Sequence, residues 1–263
     1  MSRLATILQR IVATKWEEIA QAKSLRPLAE LVARVPDSPP PRDFLGKLRR
    51  GDRLALIAEV KKASPSKGVI RADFTPTEIA QAYAAGGADC LSVLTDESYF
   101  QGHLDYLSAI RSVVELPLLR KDFIVDPYQV YEARVAGADA VLLIAECLEP
   151  PRLAELRALI HELGMTALVE LHDREQLASV LASGASLVGV NNRDLKTFTV
   201  DLEHAIELRR EIPAEITMVG ESGIRSAEDA RRLFAAGINA MLVGESLMAQ
   251  RDVRDAVERL LNH

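Results

Sequence analysis

The stretch Ala85-Gly86-Gly87-Ala88-Asp89-Cys90-Leu91-Ser92-Val93-Leu94 decides how this chain is read, because it recurs. Ala136-Gly137-Ala138-Asp139-Ala140-Val141-Leu142-Leu143-Ile144 resembles it closely. Ser183-Gly184-Ala185-Ser186-Leu187-Val188-Gly189-Val190 and Ala236-Gly237-Ile238-Asn239-Ala240-Met241-Leu242-Val243-Gly244 follow the same plan. Gly87 to Gly137 is 50 residues, Gly137 to Gly184 is 47 and Gly184 to Gly237 is 53. Each glycine ends a helical pattern, as a C-terminal cap does, and a short apolar strand follows. Strand signals at 116–120, 165–170 and 216–220 lie midway between the copies, and 54–61 precedes them all. That makes eight strands. Amphipathic helical patterns at 77–85, 104–114, 128–136, 151–163, 174–181, 202–210, 227–236 and 246–261 separate them. Eight strand–helix units with apolar strands predict an α/β chain folded as a single (β/α)8 barrel, a TIM barrel. An open doubly wound sheet is the alternative. It brings no four-fold spacing of its own, and no Gly-x-Gly-x-x-Gly turn follows the first strand.

The 263 residues, 48% hydrophobic and 27% charged, have ordinary globular composition. A barrel takes roughly 250 residues, so one domain over 1–263 is expected. Residues 1–50 read as a helical extension that caps one barrel end, with helices near 2–23 and 28–35. Pro36-Asp37-Ser38-Pro39-Pro40-Pro41 then reads as an ordered strap, because proline runs do not continue a helix. A net charge of -6 without a Lys/Arg block argues against nucleic acid. No apolar run approaches the roughly 20 residues needed to span a bilayer. Residues 1–23 carry Glu17 and Glu18 and show no cleavage site, which argues against a targeting peptide. Cys90 and Cys147 sit in apolar runs and read as core thiols of a reducing, cytoplasmic compartment. A monomer or weak homo-oligomer is expected.

Barrel sites form where strands end at the C-terminal face. The first strand runs into Glu59-Val60-Lys61-Lys62-Ala63-Ser64-Pro65-Ser66-Lys67-Gly68. Alternation puts Glu59 and Lys61 on one face of that strand. Charge at the end of a buried strand is costly unless a site uses it. Other strand ends supply Lys121 and Glu170, the run Asn191-Asn192-Arg193-Asp194, the turn Gly220-Glu221-Ser222-Gly223, and Gly244-Glu245-Ser246. Any one of these could be a routine loop polar; the set on one rim is harder to dismiss. The glycine turns after strands seven and eight offer free N–H groups and a helix start, an arrangement that suits phosphate. Gly223, Gly244 and Glu245 would give backbone donors, with the Glu245 side chain turned outward, and Ser64 would close the site. His103, His161, His172, His204 and His263 lack metal-ligand spacing and read as surface or helix residues, with His172 a possible support for Glu170. Neither a P-loop nor a Gly-x-Ser-x-Gly elbow is present.

These blocks, with Leu119-Arg120-Lys121-Asp122-Phe123-Ile124, Val169-Glu170-Leu171-His172, Gly189-Val190-Asn191-Asn192-Arg193-Asp194-Leu195 and Val243-Gly244-Glu245-Ser246-Leu247-Met248, resemble the signature blocks of the indole-3-glycerol-phosphate synthase family. Arg26-Pro27-Leu28 and Pro39-Pro40-Pro41-Arg42-Asp43-Phe44 resemble it too, so the likeness runs through nearly the whole chain in order. The resemblance implies a tryptophan-pathway lyase. Its substrate is 1-(2-carboxyphenylamino)-1-deoxyribulose 5-phosphate; its products are indole-3-glycerol phosphate, carbon dioxide and water. It implies no cofactor and no metal.

It also implies roles. Lys121 is the general acid toward the ketone oxygen, oriented by Glu59. Lys61 anchors the substrate carboxylate or positions the ring, and is a candidate second acid. Glu170 is the base, or the carboxylate that stabilises cationic intermediates. Asn191 bonds sugar hydroxyls, and Arg193 supports Glu170, Glu59 or the substrate carboxylate. Glu221 and Ser222 touch the sugar and the phosphate loop, and Phe123 packs on the anthranilate ring. Burial would lower the Lys121 pKa while neighbouring carboxylates oppose that. Two rivals remain: phosphoribosylanthranilate isomerase, which would want an acid/base pair built from Cys and Asp on strands one and five or six, whereas strand one here offers Glu59 and Lys61, and a non-catalytic phosphosugar-binding homologue, which would be expected to have lost Lys121 or Glu59.

Overall fold

A computed structural model describes residues 5–194 and 199–262. Leu195, the first residues of the expected N-terminal helix and His263 lie outside them. Eight parallel strands close into a barrel: β1 Ala55–Val60, β2 Cys90–Leu94, β3 Leu118–Lys121, β4 Ala140–Ile144, β5 Thr166–Leu171, β6 Leu187–Asn191, β7 Thr217–Glu221 and β8 Ala240–Val243. β1 closes the ring by pairing Ala55 with Ala240 on one side and Ile57 with Cys90 on the other. The helices are α1 Ala5–Leu25, α2 Leu28–Arg34, α3 Phe44–Leu48, α4 Pro76–Ala85, α5 Glu97–Phe100, α6 Asp105–Arg111, α7 Pro127–Val135, α8 Pro150–Glu162, α9 Leu177–Ala182, α10 Glu203–Arg209, α11 Ala227–Ala235, α12 Glu245–Met248 and α13 Val253–Leu261.

Alternation along the strands builds two cores. Ala55, Ile57, Cys90, Leu119, Leu142, Leu168, Leu187, Val219 and Leu242 point inward and fill the barrel. Leu56, Ala58, Val60, Leu91, Val93, Val141, Val169, Val188 and Met218 point outward under the helices. Each fully buried side chain of this size contributes roughly 1.5–3 kcal/mol. The same parity carries the inward register onward to Glu59, Lys121, Glu170, Asn191 and Glu221 at the C-terminal ends. The apolar filling therefore stops one layer below the charges.

The repeat has a structural reason. Gly87, Gly137, Gly184 and Gly237 lie at φ 97, 87, 78 and 82, left-handed positions that end a helix and that a Cβ disfavours. Two residues on, the polar position of three copies binds the start of the preceding strand. Asp89 accepts from the Leu56 N–H at 2.8 Å, Asp139 from Leu118 at 2.7 Å and Asn239 from Met218 at 2.8 Å.

The N-terminal extension reaches both barrel ends rather than one. Phe44 and Leu48 of α3 enter the interior cluster at the N-terminal end, and Arg49 Nε donates to Thr217 Oγ1 there at 2.8 Å. α1 crosses to the other end, where Ile7, Leu8 and Ile11 face the rim. The proline strap between them is fastened by arginines: Arg134 Nη1 donates to Pro39 O and Arg111 Nη2 to Pro40 O, both at 2.8 Å.

The helix expected over 246–261 is two. Asp252 caps the second by accepting from the Asp255 N–H at 3.1 Å, which starts α13 afresh after the turn that ends α12. A 3-10 turn, Arg174–Gln176, precedes α9 in what reads as one helix over 174–181. The short α3 and α5 and the ribbon pairing Ala63–Ser64 with Gly68–Val69 are too brief to leave a periodic signal.

Asp139 is almost fully buried and also accepts from Arg111 Nη1 and the Arg42 N–H, each at 2.7 Å. Asp139→Ala strands an arginine and two N–H groups, so it should cost roughly 3–5 kcal/mol of stability. Urea unfolding reads this; an unchanged midpoint would contradict the account of the repeat.

Candidate active site

A cavity of about 500 Å³ opens at the C-terminal face of the barrel. That is the size of a small-molecule site. Its walls include Glu59, Lys61, Lys121, Glu170, Asn191, Arg193 and Glu221, together with Ser64, Ser222, Gly223, Gly244 and Glu245. Phe100, Phe123, Leu142 and Ile144 add an apolar side, which Ile7, Leu8 and Ile11 of α1 extend.

Two ion clusters occupy the floor. Lys121 Nζ lies 2.8 Å from Glu170 Oε2 and 3.5 Å from Glu221 Oε2. Asn191 Nδ2 donates to Glu170 Oε1 at 3.0 Å, which fixes that carboxylate from its other side. The second cluster is the ion pair of Lys61 with Glu59, neighbours on one strand face. Burial alone would discharge Lys121, but Glu170, Glu221 and Glu59 outweigh it and raise the ammonium above its ordinary range. Burial opposes ionisation of Glu170 too, yet Lys121 and its hydrogen bonds hold that carboxyl below the usual range. Burial and then Glu170 push Glu221 well above it. The two adjacent acids are thus driven apart, Glu170 toward its charged form and Glu221 toward its neutral one.

Two glycines make room for these acids. A Cβ on Gly189 would stand 2.3 Å from Glu221 Oε1, and one on Gly244 would stand 2.3 Å from Glu59 Oε1. Glycine inside an apolar strand marks such a close approach. The sequence carries that signal in β6, where reading it only as part of the repeat misses its bearing on Glu221.

At the other end of the cavity Ser64, Ser66, Ser222, Gly223 and Gly244 meet the start of α12. Ser222 and Gly223 take successive left-handed conformations, φ 66 and 83, that turn the chain sharply after β7. The Glu245 side chain turns toward cations. Its carboxylate lies 3.5 Å from Arg193 Nη2 and 3.6 Å from Lys67 Nζ, and these cations offset the charge it would present to an anion.

Most of the rim residues singled out in the sequence line this cavity, though Asn192, Asp194 and Gly220 do not, and some pair differently from the expectation. Glu59 sits against Lys61, and Lys121 takes Glu170 and Glu221 as its direct partners. Arg193 pairs with Glu245 rather than with Glu170 or Glu59. The His172 ring is 2.7 Å from the Asn191 carbonyl oxygen, so it supports Asn191 rather than Glu170. Arg225, Phe100 and the α1 side chains line the cavity without a sequence signal, because loops and a remote helix deliver them. Among the described residues no three His, Cys, Asp or Glu side chains group as metal ligands.

A (β/α)8 barrel whose C-terminal mouth combines paired ammonium and carboxylate groups with glycine turns after β7 and β8 belongs to the class of barrel enzymes acting on small molecules by acid–base chemistry. Solved structures agree on the fold. KGPDC from Streptococcus mutans superposes with a TM-score of 0.61 at 14% identity, covering 80% of this chain and 96% of that one. The N-acetylmannosamine-6-phosphate 2-epimerase from Clostridium perfringens gives 0.57 at 17% identity, covering 73% and 86%. Sequence relatives are more specific. The indole-3-glycerol phosphate synthase of Rhodopirellula baltica is 57% identical over 256 residues, covering 97% of this chain and 99% of the relative. That of Chromobacterium violaceum is 52% identical over 260 residues, covering 98% of each. The family model for indole-3-glycerol phosphate synthase matches residues 8–260. The chain belongs to the indole-3-glycerol phosphate synthase family, carboxy-lyases of tryptophan biosynthesis.

Gly189→Ala should push Glu221 off its position and lower kcat by about 10²-fold while the circular dichroism spectrum stays native. Unchanged kcat would show that the glycine is not needed. A raised native pKa at Glu221 means the native state binds a proton that the unfolded chain releases, so this group's contribution falls as pH rises. Glu221→Gln should therefore gain stability relative to the parent as pH rises from the ordinary carboxylate range toward neutrality. A difference that shrinks over that range would reverse the assignment of charge.

Proposed function

We propose that the cavity binds 1-(2-carboxyphenylamino)-1-deoxyribulose 5-phosphate with its phosphate among Ser64, Gly223, Gly244 and Glu245 and its ring against Phe123. The observation that carries this reading is the Lys121 ammonium wedged between Glu170 and Glu221, in the same cavity as the Lys61–Glu59 pair.

Ring closure needs two protons in and one out. The aromatic carbon bearing the carboxylate attacks the sugar ketone, whose oxygen takes the first proton. Carbon dioxide leaves, the new hydroxyl departs as water with the second proton, and a carbon-bound proton is removed to form the indole double bond. Lys121 gives the first proton. Its raised pKa keeps it charged at rest, and an oxygen developing alkoxide character is basic enough to take the proton nonetheless. Once Lys121 is neutral, Glu170 loses the charge that held its carboxylate ionised, so its proton affinity rises as the base is required.

Lys61 meets the substrate carboxylate and is a second donor. A tight salt bridge would resist decarboxylation; Glu59 competes for the same ammonium and loosens that grip. Asn191, Ser222 and Glu221 offer hydrogen bonds to the sugar hydroxyls. Arg193 and Lys67 hold the Glu245 carboxylate near the phosphate end. The isomerase alternative finds little support, since Cys90 is buried in the barrel filling below the rim. The free thiols of Cys90 and Cys147 fit a cytoplasmic enzyme; among the described residues no helix is long and apolar enough to cross a membrane.

Indole fluorescence should appear when the purified protein meets this substrate without added metal or cofactor. Lys121→Ala should lose about 10²–10⁴-fold in kcat with folding intact, the usual contribution of a placed proton donor. Near-parental turnover in that variant would remove Lys121 from the acid role.

A further inference from the structure

A buried charge cluster stands apart from the proton-transfer groups. Lys15 belongs to α1, yet only 3% of its surface is exposed. It shares the apolar stripe of that helix with Ile11 and Ile19, four residues to either side, both buried. A lysine in that place needs partners. Its Nζ lies 2.7 Å from Glu18, 2.8 Å from Asp96 and 3.1 Å from Asp122. Burial opposes the charge, but Asp122 and Asp96 overcome it, so the group stays an ammonium.

Each of the two aspartates builds a different wall of the cavity. Asp96 accepts from the N–H groups of Tyr99 at 2.7 Å and Phe100 at 3.1 Å, and so starts the short helix α5 that presents Phe100. Asp122 follows Lys121 directly in the chain. It is held by Thr95 Oγ1 at 2.6 Å and Arg120 Nη2 at 3.1 Å, and it accepts from the Phe123 N–H at 2.8 Å. Phe100 and Phe123 then meet across the cavity with ring centroids 6.2 Å apart. The third wall is α1 itself, through Ile7, Leu8 and Ile11. Contacts from Ser98 Oγ to Glu18 at 2.7 Å and between Thr14 Oγ1 and Tyr99 at 3.0 Å reinforce the join of α1 to α5.

We propose that Lys15, by pairing with Asp96 and Asp122 together, is the positioning residue that keys α1, Phe100 and the Lys121–Phe123 segment to one another and so shapes the apolar half of the substrate cavity. Removing its charge leaves two buried carboxylates facing each other where the three walls meet. The aromatic end of the substrate then loses its enclosure, and Lys121 loses the anchor of its neighbour.

The inference rests on assigning this cavity to the cyclisation. Turnover by the parental enzyme tests that assignment alone; only variant-to-parent ratios bear on Lys15. Steady-state kinetics of the full chain, normalised to the folded fraction, should show KM raised and kcat lowered about tenfold or more each in Lys15→Met, with Lys15→Arg recovering most of both. Trp16, the single tryptophan and the next residue on α1, should show altered fluorescence in Lys15→Met if the helix loosens. Mere loss of folded enzyme would leave KM unchanged. If Lys15→Met does not fold, the double variant Lys15→Met/Asp96→Asn, which removes one acid with the base, should fold and still show the raised KM. Parental KM and kcat in whichever variant folds, or no recovery with Lys15→Arg, would overturn the proposal.

Discussion

Charge at the end of a buried strand must be met by opposite charge within reach, and this constraint governs the molecule. The barrel is filled by apolar side chains up to one layer, and the next inward position on five strands is polar. Lys121 on β3 is tolerable because β5 and β7 bring Glu170 and Glu221, and Glu59 on β1 is tolerable because Lys61 turns back to it. Closure of the sheet is what brings β3, β5 and β7 within reach of one ammonium. A site of this kind is a property of the ring rather than of any segment.

The electrostatics follow from crowding. Three carboxyl and two amino groups crowded on the floor of one cavity cannot all keep their solution behaviour. Lys121 is held charged, Glu170 is held ionised by it, and Glu221 is driven to keep its proton. These states are mutually dependent, so a proton leaving Lys121 changes the basicity of Glu170 at once. The glycines at 189 and 244 allow this density, since a methyl group at either place would occupy the space of a carboxylate oxygen.

Local chemistry set what could be read in advance. Helix ends at Gly87, Gly137, Gly184 and Gly237 recur in the sequence, and a left-handed backbone is their cause, so the barrel was legible. Strand-end charges such as Lys121 and Glu170 were legible because apolar runs do not normally end so. Pairing was not. Nothing near Arg193 in sequence indicates that Glu245, 52 positions on, is its partner, nor that Glu59 would prefer Lys61 to Lys121. The sequence around Lys15 does not reveal its two aspartates, because they stand far along the chain, although its place on the stripe between Ile11 and Ile19 is itself an anomaly. The break between α12 and α13 was missed because apolar periodicity continues across it while Asp252 restarts the hydrogen-bonding pattern.

The plug at the base of the barrel imposes an order of events on synthesis. Phe44 and Leu48 leave the ribosome early and pack against β1 and β2, which follow them, but the chamber they seal is completed only by β7 and β8, and Arg49 waits for Thr217, 168 residues later. Until β7 and β8 exist, that apolar pair has no finished cavity to enter. Closing the ring and completing the seat of its stopper are therefore late steps of one assembly.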